Sequence, residues 1–289
     1  MKKLLILSGK GGTGKTTTAS AFISFLNANV FADCDVDAPN LHLVTSPKGE
    51  PVTKDYYGSQ KAQINADKCV GCGKCFDVCR FNSIEKDAKH YKVNEFACEG
   101  CGVCTIVCPN DAISMCEDAS GKSLVYNYDD KIFSTAKLKM GRGNSGKLVT
   151  QVKSALVNKG DNEIAIVDGS PGIGCPVIAS ISGMDMVLIV AEPSVSGISD
   201  MKRIIKTAQI FGTRTVVCIN KYDTCPNKSY EIEKYCLEKG IDFAGKIPYD
   251  KNVPKAINNG KSISTINCPA KDALYDVFMF TITLLTNKK

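Results

Sequence analysis

Short apolar runs alternate with longer amphipathic stretches along most of this 289-residue chain. The runs have the length of buried strands, and the stretches between them have the spacing of helices. Glycines at 212 and 240 follow two of these predicted helices, as is common at helix ends. Alternating strands and helices predict an α/β fold with a doubly wound, mainly parallel sheet. Its strands are expected at residues 4–7, 164–167, 186–191, 215–219 and 243–247.

The periodic pattern is interrupted between residues 44 and 58, where Pro47, Gly49 and Pro51 mark a linker. A second break covers residues 117–121. Between these breaks the chain predicts only short strands and short helices. We therefore expect a small α+β domain at residues 58–118, inserted into an α/β domain made of residues 1–57 and 119–289.

The inserted segment contains an internal repeat, because each cysteine of a first set recurs 29 positions later. Each half predicts a short strand and three cysteines at three-residue steps. A fourth cysteine follows four positions later, where a short helix is expected to start. The two sets are Cys69, Cys72, Cys75 and Cys79, and then Cys98, Cys101, Cys104 and Cys108.

This spacing is that of bacterial ferredoxins, in which three thiolates bind one iron-sulfur cube and the fourth binds the other cube. It predicts two [4Fe-4S] clusters, one bound by Cys69, Cys72, Cys75 and Cys108 and the other by Cys98, Cys101, Cys104 and Cys79. The second set ends in Cys108-Pro109 as the ferredoxin pattern requires, whereas Arg80 follows Cys79.

Zinc and disulfides are the alternatives for these cysteines. Zinc sites use separated cysteine pairs more often than four cysteines in eleven residues. Disulfides need an oxidising compartment, and the first residues predict a strand and a glycine-rich loop instead of an export signal. Both alternatives are therefore less favoured than clusters.

Composition narrows the possible partners and the compartment. The formal charge is +6, which two clusters of about −2 each would reduce to about +2, so the charge does not indicate a nucleic-acid partner. Fifteen cysteines are typical of a reducing cytoplasm. The longest apolar run, residues 277–285, has about half the length of a membrane span.

Residues 9–16 read GKGGTGKT, between the first apolar run and a helical stretch that ends near Leu26. This GxxxxGKT loop wraps backbone N–H groups around phosphate oxygens, while Lys15 reaches the β- and γ-phosphates and Thr16 binds Mg²⁺. The sequence thus predicts an ATP site. Its binding residues are expected to be Gly11, Gly12, Thr13, Gly14, Lys15, Thr16 and Thr17.

The additional lysine in this loop, Lys10, makes the chain resemble the deviant Walker-A ATPases, a class that includes MinD, ParA, Mrp-type cluster carriers and the nitrogenase iron protein. The resemblance implies a P-loop NTPase fold and an ATP-dependent homodimer in which Lys10 reaches the partner's nucleotide. Residues 141–148 resemble the branch of this superfamily that carries an inserted ferredoxin domain.

Residues 33–41 resemble the family's switch I, and residues 169–176 resemble its switch II. The resemblance implies that Asp35 orients the attacking water and that Asp33 supports the loop, although the sequence does not separate Asp37 from Asp35. Asp168 ends an apolar run and is placed to bind Mg²⁺. Asn220 matches the adenine-contacting asparagine, and Pro248 follows the next strand.

Two function classes follow from these features. The leading hypothesis is an ATPase in which ATP-driven dimerisation gates electron transfer through the two clusters to a redox partner. The alternative is a metallocluster assembly or carrier ATPase, whose partner would be an assembly protein. The C-terminal CxxC of Mrp-type carriers is missing, which disfavours the alternative. A lipid-binding positioning ATPase, related to MinD, ranks third.

Cys175 lies where the nitrogenase iron protein has a cluster ligand, seven residues after Asp168. A cluster shared in a dimer would need a second cysteine in each subunit, and Cys116 is the conceivable one. A small buried thiol beside switch II is the favoured interpretation.

Overall fold

The computed structural model describes residues 1–156 and 164–287, which form two compact units. The first unit comprises Met1–Thr53, Ser123–Lys137 and the described part of Gly146–Lys289. The second comprises Lys54–Lys122 and Leu138–Ser145. Residues 54–57, 119–122 and 138–145, which the sequence analysis assigns to the α/β domain, thus belong to the second unit.

The described part of the chain contains strands and helices that we number in chain order. The strands are β1 (Lys2–Leu7), β2 (Val30–Asp33), β3 (Val52–Tyr57), β4 (Lys61–Ile64), β5 (Ile84–Asp87), β6 (His90–Val93), β7 (Ile113–Cys116), β8 (Ala119–Tyr128), β9 (Lys131–Leu138), β10 (Ile164–Asp168), β11 (Met186–Ala191), β12 (Arg214–Asn220) and β13 (Asp242–Ile247). The helices are α1 (Lys15–Leu26), α2 (Leu41–Thr45), α3 (Lys74–Val78), α4 (Val103–Val107), α5 (Ser145–Ser154), α6 (Cys175–Ile181), α7 (Val195–Ile210), α8 (Pro226–Lys239), α9 (Asn252–Asn258) and α10 (Pro269–Thr286).

The main sheet has the strand order β13-β12-β11-β1-β10-β2-β9-β8-β3. The pairings from β13 through to β9 are parallel, which confirms the predicted mainly parallel α/β sheet. In such sheets ligands bind outside the carboxyl ends of the strands, where the strand order reverses. β1 lies between β10 and β11, so this position falls at the loop after Leu7.

The sequence analysis missed β8 and β9. Both faces of β9 are buried, so its side chains do not alternate between apolar and polar, and Ser134 and Thr135 interrupt any apolar run. β9 pairs with β2 in parallel, and Thr135 lies opposite Asp33. These two strands add a polar wall next to switch I.

The C-terminal helix α10 packs against β13 and α1 of the first unit. Its buried face includes Leu274, Val277 and Phe278, and Phe278 meets Phe22 of α1 edge to face at 5.1 Å. Among the described helices, none combines the length and the apolar character that crossing a bilayer requires. The sequence also predicts that the segment of residues 141–148 leads into a helix ending near Gly160. That end lies outside the described residues, in which α5 ends at Ser154.

The two halves of the cysteine repeat are paired crosswise in the second unit. The first strand of one half, β4, pairs antiparallel with the last strand of the other, β7, and β5 pairs with β6 in the same way. Each half also contributes one short helix, and α3 packs against α4. Neither half therefore forms a sheet by itself, and both must fold together.

The position of the fourth cysteine in each half corrects the sequence analysis. Helices α3 and α4 begin after left-handed Gly73 and Gly102, and they contain the third cysteine of each set. Cys79 and Cys108 follow the helix ends in extended backbone, instead of starting a helix. The glycines allow the helix to begin earlier because a positive φ costs glycine little.

Arg142 attaches the segment of residues 138–145 to the rest of the second unit. Its guanidinium lies 2.9 Å from the Asp118 carboxylate and 2.8 Å from that of Glu95, and it lies over the Phe96 ring. The Arg142 side chain is only 7% exposed. From the sequence alone this arginine would have been an ordinary charge in a glycine-rich loop.

We expect Arg142→Met to destabilise the protein by about 2 kcal/mol, because the Asp118 carboxylate loses its charged partner while it stays largely buried. Urea unfolding followed by circular dichroism measures the change. Lys139→Met, an exposed lysine of the same segment, is the control and should alter the unfolding free energy by less than about 0.5 kcal/mol. Equal losses in both variants would contradict an anchoring role for Arg142.

Candidate functional site

The glycine-rich loop connects β1 to α1 at the carboxyl end of the central strand. Gly14 has a φ of 97°, and a Cβ atom there would lie 2.3 Å from the side-chain nitrogen of Asn220. Asn220 ends β12 and donates from this nitrogen to the Thr13 carbonyl oxygen at 2.7 Å. Only glycine at position 14 allows the loop to curl and Asn220 to approach it.

Asp168 holds together the side chains predicted to bind phosphate and magnesium. One oxygen of its carboxylate lies 2.6 Å from Lys15 Nζ, and the other accepts a hydrogen bond from Thr16 Oγ1 at 2.6 Å. All of the Asp168 side chain and nearly all of Lys15 are buried. Burial opposes charge on Lys15, but the nearby Asp168 carboxylate outweighs it and raises the pKa of the lysine.

Asp33 organises switch I from the end of β2. Its buried carboxylate accepts hydrogen bonds from the backbone N–H groups of Asp35, Asn40 and Leu41, each at 3.0 Å. Burial, together with the Asp168 charge, raises the pKa of Asp33 to about 7. This carboxylate therefore supports the loop and is not exposed to a ligand.

The structure distinguishes Asp35 from Asp37. Asp35 lines a cavity of about 650 Å³ together with Lys10, Lys15 and Pro171. Burial raises the pKa of Asp35, although the nearby Lys15 opposes this shift. Asp37 is exposed and lines a different cavity, so Asp35 is the carboxylate that faces the phosphate-binding loop.

A second cavity, of about 250 Å³, adjoins the first, since both are lined by Gly12, Gly14 and Thr17. Asn220 and Pro248 both line it, as do apolar side chains such as Leu274. Asp223 accepts a hydrogen bond from Tyr249 N at 2.8 Å and so orders the loop after Pro248. The first cavity thus offers polar groups for phosphates, and the second offers an apolar surface for a base. A nucleotide requires both side by side.

Lys10 is bound within its own chain. Its ammonium lies 3.0 Å from a carboxylate oxygen of Glu192 and 3.1 Å from the Ser196 hydroxyl. Sequence analysis missed Glu192, which follows β11 immediately. Its position after an apolar strand in the predicted sheet was the available signal, because carboxyl ends of neighbouring strands share one edge.

The eight repeated cysteines of the second unit surround two separate cavities. One, of about 20 Å³, is lined by Cys69, Cys72, Cys75 and Cys108. The other, also of about 20 Å³, is lined by Cys79, Cys98, Cys101 and Cys104. Each cavity therefore has three cysteines from one half of the repeat and the last cysteine of the other half.

The crosswise strand pairing explains this grouping. Because β7 of the second half pairs with β4 of the first, Cys108, which precedes β7, is carried to the first three cysteines. The loops need glycine at equivalent places, since a Cβ on Gly71 or Gly100 would lie within 2.3 Å of a backbone carbonyl oxygen. The tertiary fold thus combines Cys108 with cysteines at least 33 residues earlier in the chain, and Cys79 with cysteines at least 19 residues later.

Backbone N–H groups point at the fourth cysteine of each half. Cys108 Sγ accepts from Ala112 N at 3.3 Å. Burial opposes ionisation of Cys79, but hydrogen bonds from the Ser83 hydroxyl and from nearby backbone groups lower its pKa. Burial raises the pKa of Cys75 and Cys104. Four thiols around one cavity, with hydrogen-bond donors at one of them, match the ligand set and the kind of hydrogen bonding that an iron-sulfur cluster needs.

The structure corrects one prediction about the remaining cysteines. Cys175, which the sequence analysis favoured as a buried thiol, is exposed, because it begins α6 at the end of switch II. Cys116 donates from its thiol to the Gln63 side chain at 3.1 Å. Within residues 1–156 and 164–287, no three histidine, cysteine or acidic side chains converge closely enough to hold a single metal ion.

Comparison with known proteins extends these observations. An uncharacterised protein of Methanocaldococcus jannaschii is 32% identical over 96% of this chain and 95% of its own length. The iron-sulfur cluster carrier protein of the same organism is 25% identical, over 99% of this chain and 86% of its own. The cell division ATPase MinD of Pyrococcus furiosus has a similar fold, with a TM-score of 0.58 at 15% identity, over 98% of this chain and 99% of that one.

The family model for the CobQ/CobB/MinD/ParA nucleotide binding domain matches residues 4–263, which is most of the chain. This range includes the glycine-rich loop, Asp168 and Asn220. The fold, the glycine-rich loop and the family match all indicate a nucleotide-binding protein. The chain therefore belongs to the CobQ/CobB/MinD/ParA family of nucleotide-binding proteins.

Proposed function

We propose that this protein is an ATPase that carries two [4Fe-4S] clusters in an inserted ferredoxin-like domain and uses ATP binding and hydrolysis to gate electron transfer to a protein partner. The observation that carries the proposal is the grouping of eight cysteines around two cavities of nearly equal size. This grouping is the one that the ferredoxin spacing requires. A bound cluster would supply one-electron storage at each cavity.

The residues of the first unit have distinct parts in the proposed ATPase cycle. Lys15 neutralises charge on the β- and γ-phosphates, and Thr16 and Asp168 are the ligands for Mg²⁺. Asp168 contacts both Lys15 and Thr16, so the groups that bind phosphate and Mg²⁺ lie together. Asp35, which faces the same cavity, orients the water that attacks the γ-phosphate.

Dimerisation is part of the proposal and depends on Lys10. Within a single chain Lys10 is paired with Glu192, and Lys221 Nζ lies 3.9 Å from the same glutamate. A phosphate group on the partner chain would compete for Lys10 with this half-exposed pair. The glutamate would then keep Lys221 as its cationic neighbour, so release of Lys10 does not leave Glu192 without a counter-charge.

Helix α5 supports a connection between switch II and the cysteine-containing unit. Ser145, the last residue of the Leu138–Ser145 segment of the second unit, is also the first residue of α5, and the rest of α5 belongs to the first unit. Lys153 donates to the carbonyl oxygens of Ala179 and Ser182, each at 2.5 Å, and to that of Ser180 at 3.2 Å. At the start of α5, a Cβ on Gly146 would lie 3.3 Å from the Cys175 carbonyl oxygen.

Lys153 thus binds the end of α5 to the end of α6, and Gly146 lies close to the first residue of α6, the helix that follows switch II. Packed helices shift against one another only by small amounts. We propose that a nucleotide-dependent shift of switch II moves α6 and α5 together. The residues joined to α5, including Arg142, would transmit this shift to the cysteine-containing unit.

Cluster assembly or delivery is the second candidate function. It is favoured by the similarity to proteins named iron-sulfur cluster carrier and, in Drosophila simulans, cytosolic Fe-S cluster assembly factor Nubp1 homolog. Closed four-cysteine sites disfavour cargo, since full thiolate ligation retains a cluster. Transfer of iron from the holoprotein to an apo-ferredoxin, measured with and without ATP, distinguishes this function from electron transfer.

Loss of one cluster ligand tests the assignment of two clusters. Cys72→Ser should leave about four of eight irons per chain after anaerobic purification, because it removes one ligand from the cavity that Cys72 lines. Iron and sulfide analysis measures the result. Cys116→Ser, a cysteine of the same unit outside both cavities, is the control and should keep all eight irons. Zinc in place of iron in the wild-type protein would refute the assignment.

The two lysines of the glycine-rich loop should differ in effect. Lys15→Ala should weaken MgATP binding about 100-fold, because the buried Asp168 and the phosphates both lose their cation. Lys10→Ala should keep the affinity within about threefold but lose ATP-dependent dimerisation. Calorimetry and light scattering measure the two properties. A Lys10→Ala protein that still dimerises with ATP would exclude the proposed role of this lysine.

Lys153→Met tests the connection through α5. In the wild-type protein we expect MgATP to change the rate of electron transfer from the reduced clusters to a small acceptor by about tenfold. Lys153→Met should reduce this ratio to less than about twofold while MgATP affinity and iron content stay normal. Lys206→Met, an exposed lysine of α7, should preserve the wild-type ratio. Equal rates with ATP, ADP and no nucleotide in the wild type would refute gating itself.

A further inference from the structure

The two groups of four cysteines in the second unit can be compared position by position, because residues 29 apart in the repeat are equivalent. We call them the first site (Cys69, Cys72, Cys75 and Cys108) and the second site (Cys98, Cys101, Cys104 and Cys79). The reduction potential of a cluster rises with positive charge nearby and with hydrogen bonds to its sulfurs, since both stabilise the more negative, reduced state. A group that is present at one site and replaced at the equivalent position of the other would therefore distinguish the two clusters.

Ser83 adds a hydrogen bond at the second site. Its hydroxyl oxygen lies 3.2 Å from Cys79 Sγ, and the residue lines the cavity of that site and is 3% exposed. A thiolate ligand has no proton to donate, so the hydroxyl is the donor. The equivalent residue at the first site, Ala112, offers Cys108 Sγ its backbone N–H at 3.3 Å. The Ser83 N–H also donates to Cys79, so the hydroxyl is what differs between the sites.

A second difference lies at the first cysteine of each site. The Lys61 ammonium donates to the Cys98 carbonyl oxygen, at the second site. The equivalent residue is His90, whose Nδ1 lies 3.0 Å from the Cys69 carbonyl oxygen, at the first site. Lysine carries a full positive charge at about pH 8, where histidine is ordinarily neutral. The second site therefore has an additional, partly buried cation.

Two other features of the second site do not reverse this difference. Arg80 and Glu99 are both exposed and have opposite charges, so water screens their effects and the two offset one another. Cys98 is buried whereas its equivalent, Cys69, is partly exposed, and burial opposes the added charge of reduction. This difference in burial concerns one ligand of four. The hydroxyl and the ammonium make direct contacts, and we expect these to dominate because electrostatic interactions weaken with distance.

We propose that the two clusters are inequivalent, and that Ser83 and Lys61 give the second site the higher reduction potential. This inference rests on the proposed function, because it requires a cluster at each site. An electron at the first site would pass to the second, so that the first cluster is oxidised and the second is reduced, while no bond breaks and no proton moves. A protein that carries a single electron holds it at the second site.

The second site also adjoins the segment through which gating is proposed to act. Glu95, which binds Arg142 at 2.8 Å, precedes Cys98 by three residues. Residues 138–145, which contain Arg142, lead into α5. The proposed connection through α5 thus reaches the site that holds the electron.

Anaerobic redox titration of the full-length protein at about pH 8, followed by EPR, tests this order. The two reductions should differ about tenfold in their equilibrium constants, which corresponds to about 59 mV for one-electron couples. Ser83→Ala should lower the constant of the easier reduction about threefold and leave the other unchanged. The reciprocal substitution, Ala112→Ser, should raise the constant of the harder reduction by a similar factor.

Lys61→Met provides a second test that does not alter a group in contact with a ligand sulfur. It should also lower the constant of the easier reduction about threefold. Lys86→Met, an exposed lysine of β5, is the control for loss of one positive charge and should leave both constants unchanged. Iron analysis of each variant, with about eight irons expected, shows that both clusters are retained.

Two results would overturn the inference and leave the proposed function in place. The first is a wild-type protein with two clusters of equal potential. The second is a Ser83→Ala or Lys61→Met protein in which the harder reduction changes instead of the easier one. A wild-type protein without any [4Fe-4S] signal after reduction would refute both the inference and the proposed function.

Discussion

The contact of the buried Asp168 carboxylate with Lys15 and Thr16 is the interaction on which the nucleotide site depends. An isolated charge at this position would be strongly disfavoured, so the carboxylate and the ammonium each make the burial of the other possible. Lys15 begins α1 and Asp168 ends β10, which lies beside the central strand β1. The same contact therefore aligns the phosphate-binding loop with the strand that leads into switch II.

Asp33 extends this arrangement to switch I. It lies opposite Asp168 in the register of β2 and β10, and the proximity of the two carboxylates adds to the burial that raises the pKa of Asp33. A bound Mg²⁺ would neutralise part of the negative charge of these two carboxylates and so would reduce the repulsion between them. Three backbone N–H groups of switch I donate hydrogen bonds to the Asp33 carboxylate. A change in the charge around Asp33 would therefore act directly on the backbone of switch I.

The cysteine-containing unit depends on a different constraint, which is the crosswise pairing of two similar halves. Each half is too short to form a sheet or a core by itself. The small core of the whole unit consists largely of the third cysteine of each set, Cys98 and a few aliphatic side chains such as Ile84 and Ile113. Little apolar area is buried there, so ligand binding by the thiols would contribute much of the stability of the unit.

Local sequence determined the features that depend on neighbouring residues. The glycine-rich loop, Lys10, Lys15 and Thr16 are recognisable because phosphate binding needs those residue types at fixed spacing, and the two sets of cysteines are recognisable for the same reason. The apolar strands of the parallel sheet were equally clear, since strands buried on both faces are continuous apolar runs. The repeat also indicated which cysteines would be grouped around each cavity.

Only the tertiary structure decided the features that depend on residues far apart in the chain. It placed Asp35, and not Asp37, at the phosphate-binding loop, and it gave Glu192, Arg142 and Lys153 their partners. It also added β8 and β9 to the sheet beside switch I. Periodicity and spacing report only on neighbours along the chain, whereas a charge acquires its role from whatever the fold brings within a few ångströms of it.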